Sequence, residues 1–415
     1  MNKYQKWMMW GLLLPTYFIS FFHRTSLSAI GGTLVEQLHI SGAVGTLLGT
    51  LTGIYFFTYA LMQLPIGFFA DSIGPKRLVS FGSFVMGLAT IAFAFSNNIM
   101  SAYIARFFIG LGASFNFICL LRIQTNWFEK KEFPLLTGII VFVGNTGAMF
   151  GVGPFALIVD KIGIQVSYLG LGVISLIFGL LITLFVKDHP VKMVYKKDDN
   201  FSVFLTLKEV FSVKSNYYAA LAFGFSSASY LAFAGFCGIP FLMHTYSLSR
   251  NDASGMITIL TFGVLIGSLL NGALVKLFKY PKRAGVTLFF IIAVLWLLMI
   301  VIKFPAELLW IYNLIFFILG FSFSGFNLLF SNIRANNSEQ NIGVASSFIN
   351  FISFLMITTL QPFTGYVLDL FVDIKPQNSI PVYPYSAYRV VLLILLTVHL
   401  AALIGYLLVR RESLE

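Results

Sequence analysis

Charge is what this sequence has least of. Only 10% of its 415 residues are Asp, Glu, Lys or Arg, against about 25% in an average soluble domain, so an ordinary water-facing surface cannot be assembled from it. Cysteine is nearly absent. The two present, Cys119 and Cys237, fall inside apolar stretches, which excludes a disulfide scaffold. With 58% hydrophobic and 17% aromatic residues, the chain is neither disordered nor collagen-like nor a coiled coil. It carries no nucleotide-binding glycine loop, no metal-ligand cluster and no nucleophile constellation. The expectation is therefore no enzyme, no catalytic residue, no cofactor and no metal. The first apolar stretch is also too long, and without the small-residue cleavage site, to read as a signal peptide.

What is present is apolar sequence in lengths that cross a bilayer, whose core of about 30 Å takes roughly 20 residues per helix. Twelve spans are predicted, at 7–30, 43–70, 77–96, 99–124, 133–158, 163–186, 217–245, 253–278, 284–302, 305–332, 342–370 and 385–409. A net charge of +11 raises the question of nucleic acid, which asks for a basic face on a soluble domain. The placement of the charges answers it. Loops on one side of the spans hold twenty Lys and Arg residues, and loops on the other hold five, Lys161, Arg250, Lys303, Lys375 and Arg389. By the positive-inside rule the rich side and both termini are cytoplasmic, so the expected setting is a multi-pass inner-membrane protein in a lipid bilayer, probed by no nucleic acid and monomeric.

The longest polar interruption, 187–216, separates six spans from six. It predicts a bundle at 1–186, a cytoplasmic linker and a bundle at 217–415, with Phe201, Phe204, Leu205, Leu207 and Val210 suited to an amphipathic interfacial helix in the linker. Short matches recur between spans. Span 2 closes on Gly67-Phe-Phe-Ala-Asp71, span 5 on Pro154 to Asp160, and span 11 on Pro362-Phe-Thr-Gly365-Tyr-Val-Leu-Asp369, while Phe-Phe-Ile and then Phe-Asn recur in spans 4 and 10. The implied fold class is an all-α membrane protein, twelve transmembrane helices in two six-helix bundles, each of two inverted three-helix repeats.

Gly67-Phe-Phe-Ala-Asp71-Ser-Ile-Gly74-Pro-Lys76-Arg77 resembles the signature loop between helices 2 and 3 of the major facilitator superfamily. The resemblance implies a cytoplasmic gate made of Gly67, Asp71, Gly74, Lys76 and Arg77 that latches the two halves in one conformation. Ser72 stands where that family usually has a basic residue. Arg106-Phe-Phe-Ile-Gly110-Leu-Gly112 resembles the family's intramembrane arginine motif, and the glycines of span 5 with Pro154 resemble, out of register, the antiporter motif of drug exporters. Tyr17 to Ser28 resembles the Tyr-x-x-x-Arg type of segment in the superfamily's anion:cation symporters, where the arginine binds a substrate carboxylate. His23 and Ala113 occupy the positions of the acidic residues expected there, so coupling through those carboxylates is not supported.

The residues themselves point the same way. Arg24 and Arg106 are the two basic residues inside spans, and none of the sixteen acidic residues lies mid-span. A charge at the bilayer centre costs roughly 2.5 to 3.5 kcal/mol on insertion scales, which makes each a functional candidate. Arg24 lies roughly 25 Å along span 1 and Arg106 roughly 10 Å below the opposite face at 1.5 Å per residue, so both reach the same half of the membrane, where a guanidinium fork suits a carboxylate. Tyr17, Ser20 and Ser28 share a helical stripe with Arg24. Arg106 either contacts substrate or pins neighbouring backbone carbonyls. His23, about 100° around the helix, is either a buried structural residue or the proton-coupling candidate. Asn116 completes the N-terminal set, and the C-terminal half contributes neutral groups, Tyr230, Asn327, Asn350 and Gln361. Gly235 and Pro240 provide a bend in span 7.

The expected function is secondary active transport by alternating access, importing a small organic anion or a carboxylate-bearing zwitterion such as an amino acid, with a proton or sodium ion as the possible co-substrate. Proton-coupled export of drugs or metabolites is the first alternative, and a non-transporting membrane sensor the second.

Overall fold

The computed structural model describes residues 3–63, 65–189, 209–338, 341–371 and 381–409. Among these every regular element is a helix and no strand occurs. Residues 190–208, and with them most of the predicted linker and its amphipathic segment up to Leu207, lie outside the described residues.

The first span is formed by α1 (Lys3–Gly11) and α2 (Leu14–Thr25). Pro15 has no N–H to give to the preceding turn, so the ladder is interrupted at 12–13. For that reason eleven of the described helices, rather than twelve, are individually long and apolar enough to cross a membrane. The predicted continuation to residue 30 is replaced by turns and the short α3 (Gly31–Gln37). Hydroxyls take carbonyls there: Ser28 Oγ donates to the Thr25 carbonyl at 2.7 Å and Thr25 Oγ1 to the Ala148 carbonyl at 2.7 Å.

α4 (Val44–Gln63) and α5 (Pro65–Ser72) make the second span, α6 (Pro75–Ala94) the third and α7 (Ile99–Trp127) the fourth. Asn98 caps α7 by accepting from the Ser101 N–H at 2.9 Å. The fifth and sixth spans are α8 (Phe133–Phe150) and α9 (Gly153–Phe185), with the reversal inside α9 at Gly163, whose φ of 80° suits a residue without Cβ. α10 (Lys214–Ala232) and α11 (Gly238–Tyr246) form the seventh span around a π-helical turn at Phe233–Cys237. The bend expected at Gly235 and Pro240 is this turn and the helix start after it. α12 (Arg250–Phe278), α13 (Pro281–Val301), α14 (Trp310–Phe323) with α15 (Leu329–Asn336), α16 (Ile342–Asp369) and α17 (Tyr385–Leu408) complete the series.

The arrangement is twelve spans in two six-helix bundles, each of two inverted three-helix repeats. The two sets of helices, α1–α9 and α10–α17, meet chiefly along α4 against α16 and along α8–α9 against α12. Large apolar side chains such as Leu88, Ile104, Leu184 and Phe290 are exposed on the outward faces, as hydrocarbon requires and water would not tolerate. With an even number of spans both termini share one end of the molecule, called here the terminal end; the other is the distal end.

The seam between α4 and α16 is built from backbone. A Cβ at Gly49 would lie 2.6 Å from the Gln361 carbonyl oxygen and one at Gly53 2.9 Å from that of Thr358, so only glycine permits this approach. At the distal end Arg250 pairs with Asp160 and donates to Thr33 Oγ1 at 2.7 Å, while the Gly153 N–H donates to Thr258 Oγ1 at 2.9 Å. At the terminal end Lys6 donates to Glu132 Oε1 at 2.6 Å and lies 4.9 Å over the Phe128 ring. That bond holds the Glu132 carboxyl below the usual carboxylate range.

Candidate functional site

Arg24 stands in the last turn of α2, half-buried, with its guanidinium among aromatic faces. The carbon of the fork lies 3.8 Å from the Phe21 ring, 5.1 Å from Tyr59 and 5.4 Å from Phe354, contacts that attract a cation to the ring quadrupole. Tyr17, Tyr55, Tyr59 and Tyr230 are close enough to feel its charge, and the Tyr55 hydroxyl donates to the Ser20 carbonyl at 2.8 Å. α2, α4, α10 and α16 thus surround one cation, the last two from the second half of the chain. Its Nε has no hydrogen-bond partner. Among the described residues no acidic side chain pairs with it.

Arg106 is differently placed. It is fully buried, donates from Nη2 to the His23 carbonyl at 3.2 Å and from Nε to the Leu51 carbonyl at 3.4 Å, and lies 5.0 Å from the Tyr55 ring. Its contacts therefore tie α7 to α2 and α4, the second of the two roles read from the sequence. Nη1 alone is unpartnered.

His23 is fully buried, with Nε2 3.2 Å from Thr90 Oγ1. Thr90 spends its one proton on the Met86 carbonyl at 2.7 Å, so toward the histidine it accepts. That places the imidazole proton on Nε2 and leaves Nδ1 as a lone pair, for which there is no partner. The stacked Tyr168 ring, 6.1 Å away, donates to or accepts from Ser26 Oγ at 3.0 Å.

The remaining predicted residues divide. Tyr17 stays with Arg24 and stacks on Phe117 at 5.9 Å. Ser20 turns away, donating to the Thr16 carbonyl at 2.9 Å and accepting from Asn116 Nδ2 at 2.6 Å; Ser20 and Asn116 together join α2 to α7, and Asn116 Oδ1 is left open. Ser28 likewise bonds its own turn. Gln361 is buried, donating from Nε2 to the Leu231 carbonyl at 3.1 Å beside Gly235, where an added Cβ would meet the Arg24 carbonyl oxygen at 3.2 Å. Asn327 is not brought to Arg24: it donates to Ser268 Oγ at 3.3 Å, which also accepts from Asn145 at 3.4 Å. Asn350 is half-buried on α16.

Tyr55, Tyr59, Phe21 and Phe354 were not anticipated. The signal was there for two of them, since Tyr55 and Tyr59 are one helical turn apart in an otherwise apolar span.

In the predicted gate, Gly74 has φ 95° and a Cβ there would collide with Asp188 Oδ2 at 2.8 Å. Asp188 Oδ1 accepts the Lys76 N–H at 2.7 Å, and the backbone around it is fixed by Asn126, donating to its carbonyl at 2.9 Å, and by Trp127, donating to that of Lys187 at 2.9 Å. Asp188 is the part of this loop that the sequence did not disclose. Lys76 is half-buried and Arg77 exposed; the side chains of Gly67 and Asp71 lie outside the described residues.

The sequence model described as Major Facilitator Superfamily matches residues 13–360. Among curated relatives, the chain is 28% identical over 185 residues to the "Probable sulfoacetate transporter SauU" of Cupriavidus necator (45% of this chain, 42% of that one). It is 31% identical over 149 residues to the "Methyl viologen resistance protein SmvA" of Salmonella typhimurium (36% and 30%), and 23% identical over 274 residues to the "Probable L-galactonate transporter" of Escherichia coli (63% and 59%). The chain thus spans less than half the length of the first two. A crystal structure of a bacterial homolog to the human lysosomal transporter Spinster superposes with a TM-score of 0.80, covering 99% of this chain and 98% of that one at 16% identity, a likeness of fold.

Proposed function

Because this chain belongs to the major facilitator superfamily, we propose that it carries a small organic anion across the inner membrane by alternating access, with Arg24 as the anchor for the anionic group. One observation carries this reading. A guanidinium held among aromatic rings, its Nε unpartnered and, among the described residues, no acidic side chain paired with it, is a cation awaiting its counter-ion, because an uncompensated charge in a low-dielectric setting is costly. Tyr17, Tyr59 and Tyr230 add phenols that orient the ligand, while Tyr55, whose hydroxyl donates to the Ser20 carbonyl at 2.8 Å, positions the helices that hold it together with Arg106, Asn116 and Ser20. The names of the sulfoacetate and L-galactonate relatives support an organic acid.

Both termini are proposed as cytoplasmic on the charge bias of the loops, with the bundles at 1–186 and 217–415. Asp188 joins Gly74, Lys76 and Arg77 in the terminal-end gate. Import is the proposed direction. His23, one helical step from Arg24 and touching Arg106 through its own carbonyl, is proposed as a neutral hydrogen-bonding residue rather than the proton carrier, since a second positive charge there would be repelled.

Thermal stabilisation of the purified protein tests this. A panel of carboxylates, sulfonates, sugar acids, amino acids, phosphates and lipophilic cations is presented to wild type and to Arg24→Ala. A ligand at about 100 times its Kd stabilises by about 2.7 kcal/mol; the expected result is one anion class that stabilises wild type only, followed by its flux into proteoliposomes. The methyl viologen relative favours a second reading, export. Stabilisation by cations alone, with Arg24→Ala responding as wild type does, makes that reading the leading one.

A further inference from the structure

We infer that Asp369 is the bolt of the distal gate, a positioning residue that holds the two halves closed there by capping a helix of the opposite half and that must release it whenever the site opens to that side. The inference rests on the alternating-access reading above and not on the identity of the anion.

α4 begins with N–H groups that have no partner within the helix, and residue 43, just before it, is an alanine with no side-chain acceptor to cap them. The acceptor comes from the other half of the chain. Asp369, the last residue of α16, takes the Gly45 N–H at 2.8 Å on Oδ1, and the Thr46 N–H and Thr46 Oγ1, each at 2.7 Å, on Oδ2. A fourth donor, the Tyr383 hydroxyl, reaches Oδ1 at 2.8 Å. Each carboxylate oxygen is thus doubly occupied, and the negative charge sits on the positive end of a 20-residue helix. Burial, first, and the neighbouring carboxylate hold the Tyr383 phenol above its ordinary pKa, so it stays a donor. Its backbone N–H is fixed on His244 Nδ1 at 3.3 Å, a nitrogen that Tyr388 also approaches at 2.7 Å.

One feature makes this a bolt rather than an ordinary cap. Gly365 lies one turn before Asp369 and its backbone rests on that of Gly45, where a Cβ would lie 2.5 Å from the Gly365 carbonyl oxygen; the carboxylate meets α4 only while that close approach lasts. Other hydrogen bonds between the halves stand with it toward the distal end and mid-membrane, at 33 and 160 with 250, 153 with 258, 53 with 358 and 145 with 268. The sequence repeats the device in mirror: Gly365-x-x-x-Asp369 closes span 11 with the spacing that Gly67-x-x-x-Asp71 has at the close of span 2.

Spin labels at Asn97→Cys and Glu307→Cys, both exposed at the distal end, report its width by pulsed dipolar spectroscopy in the full-length protein; the native Cys119 and Cys237 are buried. No ligand is added, so the outcome is independent of whether an anion binds. Wild type is expected to give one short distance. Asp369→Asn, which sets an amide N–H₂ against N–H donors, is expected to raise a longer-distance population by about tenfold or more, the scale of one lost charge-assisted bond. Tyr383→Phe and Thr46→Val, each deleting one hydroxyl, are expected to give smaller shifts in the same direction. A distribution unchanged in Asp369→Asn, with only the melting temperature lowered, makes the residue a plain cap and overturns the inference. If that variant does not fold, unchanged distributions in both hydroxyl variants overturn it equally.

Discussion

At the scale of single residues the two intramembrane arginines separate by what their donors do. Arg24 keeps Nε open and rests on rings, whereas Arg106 spends Nε and Nη2 on backbone carbonyls of α4 and α2. Arg24→Lys retains the charge but not the planar fork, and is expected to weaken anion binding by about tenfold or more, the worth of one charge-assisted hydrogen bond, with an unchanged melting temperature of the ligand-free protein. Arg106→Gln is expected to do the reverse, lowering that melting temperature because each orphaned buried carbonyl costs about 1–3 kcal/mol. A titration of ligand against both variants checks the pair. Arg24 was legible from sequence because a guanidinium in an apolar helix has few explanations. The direction of Ser20 was not, since its partner Asn116 comes from another helix and periodicity places a side chain on a face without saying what waits there.

At the scale of elements the spans could be read and their interruptions could not. Length and hydropathy fix a membrane helix because the bilayer demands it, and every predicted span corresponds to described helix. The breaks at 12–13, at 151–152 and in the π-helical turn at 233–237 answer to local chemistry that hydropathy does not register. That π turn lays Gly235 on the carbonyl of Arg24. Gly235→Val is expected to force α10 and α11 away from α2, and so to abolish anion-dependent stabilisation while the protein still folds; a wild-type ligand shift in this variant means the turn has no part in closing the site. The short α1 makes a different prediction. The bond from Lys6 depresses the folded-state pKa of Glu132, so its contribution is present above the ordinary carboxylate pKa and is lost as pH falls through the lowered one. Glu132→Gln should therefore melt below wild type at neutral pH and together with it once the pH is under that lowered value.

At the scale of the whole molecule, the asymmetry of twenty basic residues against five is the ground on which both termini are proposed as cytoplasmic. A fluorescent protein fused after Glu415 is expected to mature and fluoresce in cells, and an alkaline phosphatase in the same place to be inactive; the opposite pair of signals reverses the topology and with it the sense of every gate described above.

The glycine seam between α4 and α16 has a consequence for how such a protein can change over generations. Side-chain contacts can be retuned by degrees, a methyl group at a time. Contacts between backbones cannot, because every possible substitution at Gly45, Gly49, Gly53 or Gly365 adds bulk and the first increment already collides. Selection on substrate preference is thus free to rework the aromatic lining around Arg24, while the surface on which the two halves meet is held to a single residue type. Novel specificities and unaltered mechanics are to be expected together, and a mutational library should find the lining permissive and the seam silent.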